Sequence, residues 1–308
     1  MNTFIRATEI WLPAPDQPLL VCGGGWYGEA RQFGSISRSM CFGLGEGLPG
    51  RAWDEGRPIV LRQLEGTYFM RAVAARAAGI ACAVAMPVFT EGRLGAVVVF
   101  FCGGDSADRG AIELWRNDPR VATDMTLVDG CYGTAAQAFE SLSRETYLPR
   151  GSGLPGLAWQ RGAAVLIDDL GNARRFVRAE DAAAAGVQRG LALPCTSLGH
   201  ESYVMTFLSA AESPVARRIE SWVAGDGATP ERHFGHCEVL GPLPGGEALA
   251  AGSTIGRVFA SGVPALSLRA DGEPGELGGA AARAGLGAVL AMPVIGVEGV
   301  REVAVLYF

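Results

Sequence analysis

"GLPGRAWDEGRPIVL" fills residues 47 to 61, and "GLPGLAWQRGAAVLI" fills residues 153 to 167. Both set a tryptophan three residues after Gly50 or Gly156, and a further glycine three residues beyond it, at Gly56 or Gly162. A looser relative, "STIGRVFASGVPALSL", begins at Ser253 and keeps Gly256 and Gly262. Self-similarity of this kind fixes the architecture before any single motif is read.

Two more landmarks hold the register. "AARAAGIACAVAMPVF", "AAAAGVQRGLALPC" and "AARAGLGAVLAMPVI" each place a proline eight residues after a glycine, at Gly79 and Pro87, Gly186 and Pro194, Gly285 and Pro293. An acidic residue two before a tryptophan recurs as "EIW" at Trp11, "ELW" at Trp115 and "ESW" at Trp222. The order is the same each time, so the chain divides into units of residues 1–102, 103–210 and 211–308.

Within the first unit, Ala7 to Trp11 and Pro18 to Val21 flank "PAPDQP", a turn-forming stretch, and predict a hairpin. Pro49 suits the first turn of a short helix that Gly56 ends. "RPIVL" reads as a strand, Tyr68 to Ala78 as a helix stopped by Gly79, and "ACAVAMPVF" with "GAVVVFF" as a second hairpin. The expected fold class is α+β: tandem units, each an antiparallel sheet of five or six strands with short helices on one face.

The 308 residues carry a net charge of −6 and 26 basic residues, every one of them arginine. Without lysine there is no Schiff-base nucleophile, no P-loop lysine and no kinase lysine. With no basic stripe, nucleic acid is not an expected partner. No stretch approaches the ~20 apolar residues of a membrane helix and no signal peptide opens the chain, so no membrane partner is expected and the location is read as cytoplasmic. Seven cysteines are scattered without C-x-x-C and are expected as reduced thiols, not a disulfide framework.

Gly45, Gly47 and Gly50 also spell G-x-G-x-x-G, the spacing of a pyrophosphate loop. That reading needs a buried strand before it and a long helix after it. "SRSMCF" and two helical turns supply neither, and the third unit has Ala251 and Ser253 where the first two glycines stood. There Ser253 and Thr254 offer a side-chain cap instead. The shared requirement is to start a helix.

Order and motifs together, "GEGLPGRAW", "FMRAVAARAAGI" and "AMPVF" followed by "GRLGAVVVFF", resemble the GAF domain, a small-molecule sensory module of bacterial signalling proteins. The first unit resembles it most and the third only in its second half. The resemblance implies signalling through a partner, with a small ligand bound between helix and sheet. The family usually frames its sheet with long terminal helices; here linkers such as "CGGDSADRGA" are too short to replace them. Neighbouring units or a second chain are expected to cover those faces.

The candidate ligand site combines Phe69 and Arg71, where the helix begins, with Cys82, Val84 and Met86, which strand alternation puts on one face. An aromatic ring, an apolar floor and a guanidinium would suit an anionic or aromatic ligand. Recurring Trp11, Trp115 and Trp222 read as core. His233, His236 and Cys237 in "HFGHC" have metal-binding side chains but the look of a hairpin edge, so no metal and no cofactor is expected beyond an unknown small ligand.

Family subtypes narrow little. The Asn-Lys-Phe-Asp-Glu set of cyclic-nucleotide binders fails for want of lysine, no cysteine precedes a histidine as bilin attachment requires, and Cys22, Cys41, Cys82 and Cys102 do not match the reductase cysteines. The expected function is a non-catalytic sensor that works through a protein partner or self-association. An interaction scaffold with filled pockets and a thiol redox enzyme or sensor are the alternatives.

Overall fold

A computed structural model describes residues 3–104, 108–133, 137–173, 176–224 and 229–308; part of the first linker, 105–107, lies outside them. The first unit runs β1 (Ile5–Pro13), β2 (Leu19–Trp26), α1 (Arg31–Arg38), β3 (Cys41–Gly43), α2 (Gly47–Asp54), β4 (Ile59–Leu61), α3 (Ala72–Ala77), β5 (Ile80–Thr90) and β6 (Arg93–Gly103). Its six strands form one antiparallel sheet in the order β3-β2-β1-β6-β5-β4.

The second unit follows with β7 (Ala111–Asn117), β8 (Met125–Tyr132), α4 (Gln137–Glu145), β9 (Tyr147–Leu148), α5 (Gly153–Arg161), β10 (Val165–Ile167), α6 (Ala179–Ala184), β11 (Val187–Cys195) and β12 (Ser202–Ala210). The third has β13 (Arg218–Val223), β14 (Glu231–Cys237), β15 (Gly241–Leu243), α7 (Thr254–Ser261), β16 (Ala265–Ser267), α8 (Glu276–Arg283), β17 (Val289–Gly296) and β18 (Gly299–Tyr307). Read from the equivalent edge, both sheets repeat the strand order of the first. The fold is α+β in three successive copies.

Helices cover one face of each sheet. In the first unit that face carries Ala7, Trp11, Ala83, Ala85, Val97, Val99 and Phe101, packed against Phe33 of α1, Leu48 and Ala52 of α2 and Ala75 of α3. Helix α1, "RQFGSISR", is not foreseen by propensity, because a glycine and two serines weaken it; burial of Phe33 holds it in place. Helix α3 starts at Ala72, later than composition predicts. The residues before it are committed inward: Thr67 Oγ1 donates to the Leu64 carbonyl, and Phe69 and Arg71 are both buried.

The opposite face of the first sheet meets that of the second, and residues 1–215 form one compact unit, with 216–308 a second. Phe100 and Phe207 stack edge to face with centroids 5.2 Å apart. Thr196 Oγ1 donates to the Pro87 carbonyl and accepts from Phe89 N–H, and Leu198 N–H donates to the Gly56 carbonyl. Cys82 of β5 is joined to Cys131 of β8 by a disulfide with Cα atoms 6.1 Å apart. This corrects the expectation that every cysteine is a reduced thiol. The pair stands 49 residues apart in the chain, so no local spacing announces it; face-to-face packing of two sheets creates it.

The glycine-rich loop is a turn. Gly45 N–H donates to the Gly50 carbonyl at 2.9 Å and Glu46 N–H to the Gly43 carbonyl at 3.0 Å, so these amides serve the loop itself. Glu46 places its carboxylate on Gly43 N–H at 2.8 Å, where an anion would be repelled. A Cβ on Gly50 would stand 2.0 Å from the Gly43 carbonyl oxygen, which explains the glycine without any ligand. The second unit repeats the turn, Gly151 N–H to the Gly156 carbonyl at 2.8 Å. In the third, Ser253 Oγ accepts from Gly256 N–H at 3.1 Å and caps α7.

Candidate functional site

The acidic residue two before each tryptophan proves to be the centre of each unit. On β1, Glu9 and Trp11 share the helix-covered face, as i and i+2 must, and Trp11 Nε1 donates to Glu9 Oε2 at 2.8 Å. A buried carboxylate needs a counter-charge. Arg71, arriving just ahead of α3, provides it with Nη1 at 2.6 Å from Oε1 and Nη2 at 3.1 Å from Oε2. Tyr27 donates its hydroxyl to Oε1 at 3.3 Å, and Arg71 Nη1 also reaches Ser37 Oγ. Only 2% of the Arg71 side chain is exposed, with none of Glu9.

Aromatic rings enclose the guanidinium. Its carbon lies 4.6 Å from the centroid of Phe33, 5.3 Å from Phe101 and 5.4 Å from Phe69. The negative ring faces favour a cation there. The guanidinium that was expected to meet a ligand is thus engaged by the protein's own carboxylate.

The second unit builds the same arrangement from different sequence. Glu113 accepts from Trp115 Nε1 at 2.9 Å, Tyr132 hydroxyl at 3.0 Å, Ser143 Oγ at 2.9 Å, and Arg178 Nη1 and Nη2 at 2.7 and 3.0 Å. Phe139 and Phe176 stand against the guanidinium as Phe33 and Phe69 do. Burial alone drives the Glu113 carboxyl up, but the Arg178 guanidinium and the bonds from Trp115 and Ser143 outweigh it and hold its titration below the usual carboxylate range. Burial and the neighbouring glutamate push the Tyr27 and Tyr132 phenols up, so both remain donors.

The third unit keeps the carboxylate and changes the cation. Glu220 accepts from Trp222 Nε1 at 3.1 Å and Tyr307 hydroxyl at 2.8 Å, while Arg218 Nε and Arg232 Nη1 each approach Oε1 at 3.0 Å. Arg218 comes from β13 itself and Arg232 from β14. In register Arg218 takes the place of Ala7, and Tyr307 that of Phe101.

Of the five predicted ligand residues, Phe69 and Arg71 lie together in the first unit's interior, and Arg71 is there a partner of Glu9. Cys82, Val84 and Met86 do share a face, but it is the other one, turned toward the second sheet, while Ala83 and Ala85 face Arg71. "ACAVAMPVF" is apolar on both alternations, so periodicity cannot choose between faces; the small Ala83 and Ala85 leave room for a guanidinium and its rings. His236 and Cys237, as successive strand residues, point to opposite faces, with Cys237 in the core and His233 half exposed. Sequence reasoning missed Glu9, Ser37 and Tyr27 as site residues. The repeated Phe-x-Arg of Phe69–Arg71 and Phe176–Arg178 was the available signal.

Outside this interior, an open groove of about 530 Å³ runs beside α3, lined by Ile36, Met40, Phe69, Met70, Arg71 and Val73 among others. Met70 and Val73 are exposed on it. No described helix is long and apolar enough to cross a membrane.

The GAF domain profile matches residues 6–117. No curated protein matches the chain. Among solved structures, similar folds include the A. aeolicus nlh2 GAF domain in an inactive state, at 18% identity, TM-score 0.27, over 33% of this chain and 59% of that one. Another is the free methionine-R-sulfoxide reductase of Neisseria meningitidis in complex with its substrate, at 16% identity, TM-score 0.26, over 32% of this chain and 52% of that one. The GAF domain of an Acinetobacter phosphoenolpyruvate-protein phosphotransferase matches at 14% identity, TM-score 0.24, over 34% and 61%. The chain spans between half and two thirds of the length of each. The profile match makes the first unit a member of the GAF domain family, and the second and third units repeat its strand order.

Proposed function

We propose that the chain is a non-catalytic regulatory scaffold, in which GAF-like units have given over their ligand space to an internal ion pair and engage a protein partner through their outer surfaces. The observation that carries this reading is the Arg71–Glu9 pair, repeated as Arg178–Glu113 and rebuilt around Glu220. A ligand entering that space would have to displace a bidentate guanidinium and leave a buried carboxylate unpaired, at a cost of about 3–5 kcal/mol. A filled interior also gives a unit a single rigid shape, which suits a docking surface more than a sensor. Native mass spectrometry of the purified full chain tests it: the polypeptide mass alone is expected. A small molecule retained in stoichiometric amount overturns the reading.

A second reading has its own observation. The open groove beside α3, with exposed Met70 and Val73, is large enough for a small apolar ligand at the rim of the first unit. A retained ligand whose occupancy falls in Val73→Asp would favour a sensor acting through that groove.

A further inference from the structure

The packed backs of the first two sheets bring three sulfur atoms together. Cys82 on β5, Cys102 opposite it on β6 and Cys131 on β8 have all their Sγ atoms within 4.8 Å of one another. Cys82 keeps 7% of its surface exposed, against 0% for Cys102 and 1% for Cys131. Two chemistries suit such a cluster, a cation held by thiolates or a reversible two-electron couple.

Pairing decides between them. Among the described residues the cluster has three sulfurs and no fourth His, Cys, Asp or Glu ligand, one short of a closed structural zinc site. Two of the three, Cys82 and Cys131, are already bonded to each other, and Cys102 is a free thiol. Burial, and then the Asp108 carboxylate, push the Cys102 thiol up, which makes it the poorer nucleophile. We infer that Cys82 and Cys131 form a reversible redox clasp between the first and second sheets, closed by exchange with a small-molecule disulfide and opened by a small thiol, with Cys102 as a spectator thiol.

The chemistry balances in two exchanges. Cys82, the more exposed residue of the pair, loses its proton to solvent and attacks an external disulfide; a mixed disulfide forms and one external thiolate leaves. Cys131, deprotonated in turn, attacks the Cys82 sulfur, forming the Cys82–Cys131 bond and expelling the second external thiolate. The two released protons end on the two leaving thiolates. Two protein thiols are oxidised and one small disulfide is reduced to two thiols; the reverse sequence opens the clasp. Since Phe100–Phe207 and the Thr196 bonds also join the two sheets, opening loosens the pair without separating it.

The test uses the full chain equilibrated in an oxidised-to-reduced glutathione buffer, then alkylated in denaturant and mapped without reduction. The oxidised sample is expected to yield a peptide linking Cys82 to Cys131 and five alkylated cysteines, Cys22, Cys41, Cys102, Cys195 and Cys237. Reduction is expected to lower the Tm of the clasped body by about 10 °C, reversibly. Cys102→Ser should keep both the link and the shift, and Cys82→Ser should lose both. If Cys82→Ser fails to fold, the paired measurements on the unaltered chain still decide. All seven cysteines alkylated after oxidation, a link through Cys102, or one zinc ion retained per reduced chain in native mass spectrometry would each overturn the assignment.

Discussion

Glu9 and Arg71 illustrate how a charge can be tolerated where water cannot reach. Each oxygen of the carboxylate has a donor on a ring-bearing residue and another on the guanidinium, so neither is stranded. Removing one partner leaves the other charge unpaired, whereas removing both leaves only the neutral Trp11 and Tyr27 donors without their acceptor. Arg71→Met is therefore expected to destabilise the first unit by about 3–5 kcal/mol, and Glu9→Leu with Arg71→Met to recover part of that loss, as urea unfolding would measure. A double variant as unstable as the single one would contradict the pairing.

Acidity tests the second pair by a different route. The folded Glu113 carboxyl titrates below its unfolded value of about 4.3, so the unfolded state binds more protons between the two values. Its contribution to stability is complete above about pH 4.3 and is lost as pH falls through the folded value. The urea midpoint of the unaltered chain should drop more steeply below about pH 4 than that of Glu113→Gln, in which Arg178 has already lost its counter-charge.

At the scale of the element, the loop before α2 shows how backbone proximity dictates residue choice. Gly50→Ala drives a Cβ against the Gly43 carbonyl, and Gly156→Ala meets the Pro149 carbonyl at 2.5 Å. Each is expected to cost at least about 1–3 kcal/mol. In the third unit a Cβ on Gly256 meets Ser253 Oγ at 3.3 Å and no backbone within that distance, so Gly256→Ala should cost less. Thermal unfolding of the three variants checks the ranking. Much of this layer was legible in sequence: the β1–β2 and β5–β6 hairpins, α2 and its glycine stop at Gly56 follow from turn and cap chemistry. Helix α1 was not, because its stability comes from burying Phe33 and not from its own composition. The start of α3 was not either, because Arg71 is drawn inward by a carboxylate 62 residues earlier.

At the scale of the whole molecule, the repeat was the most readable feature: one pattern of landmarks recurs three times, and the three sheets share one strand order. The acidic landmark was visible as a letter, but its meaning required its partner, and the partner differs between copies. The face assignment of Cys82, Val84 and Met86 depended on a neighbour that no local pattern encodes. A link over 49 residues restricts the unfolded chain by about 4 kcal/mol in the loop-entropy account, comparable to one interior ion pair.

One consequence concerns the third unit. Arg71 and Arg178 each tie the segment leading into a helix to the opposite strand, so in those units helix layer and sheet are fastened electrostatically. Around Glu220 both cations ride on the sheet itself, and the segment ahead of α8 is moored to α7 instead, through Glu273 on Thr254 N–H. The roof of that unit can therefore accept insertions, deletions or altered charge without orphaning the carboxylate beneath it, and the greater drift of its sequence from the other two copies is what such freedom permits.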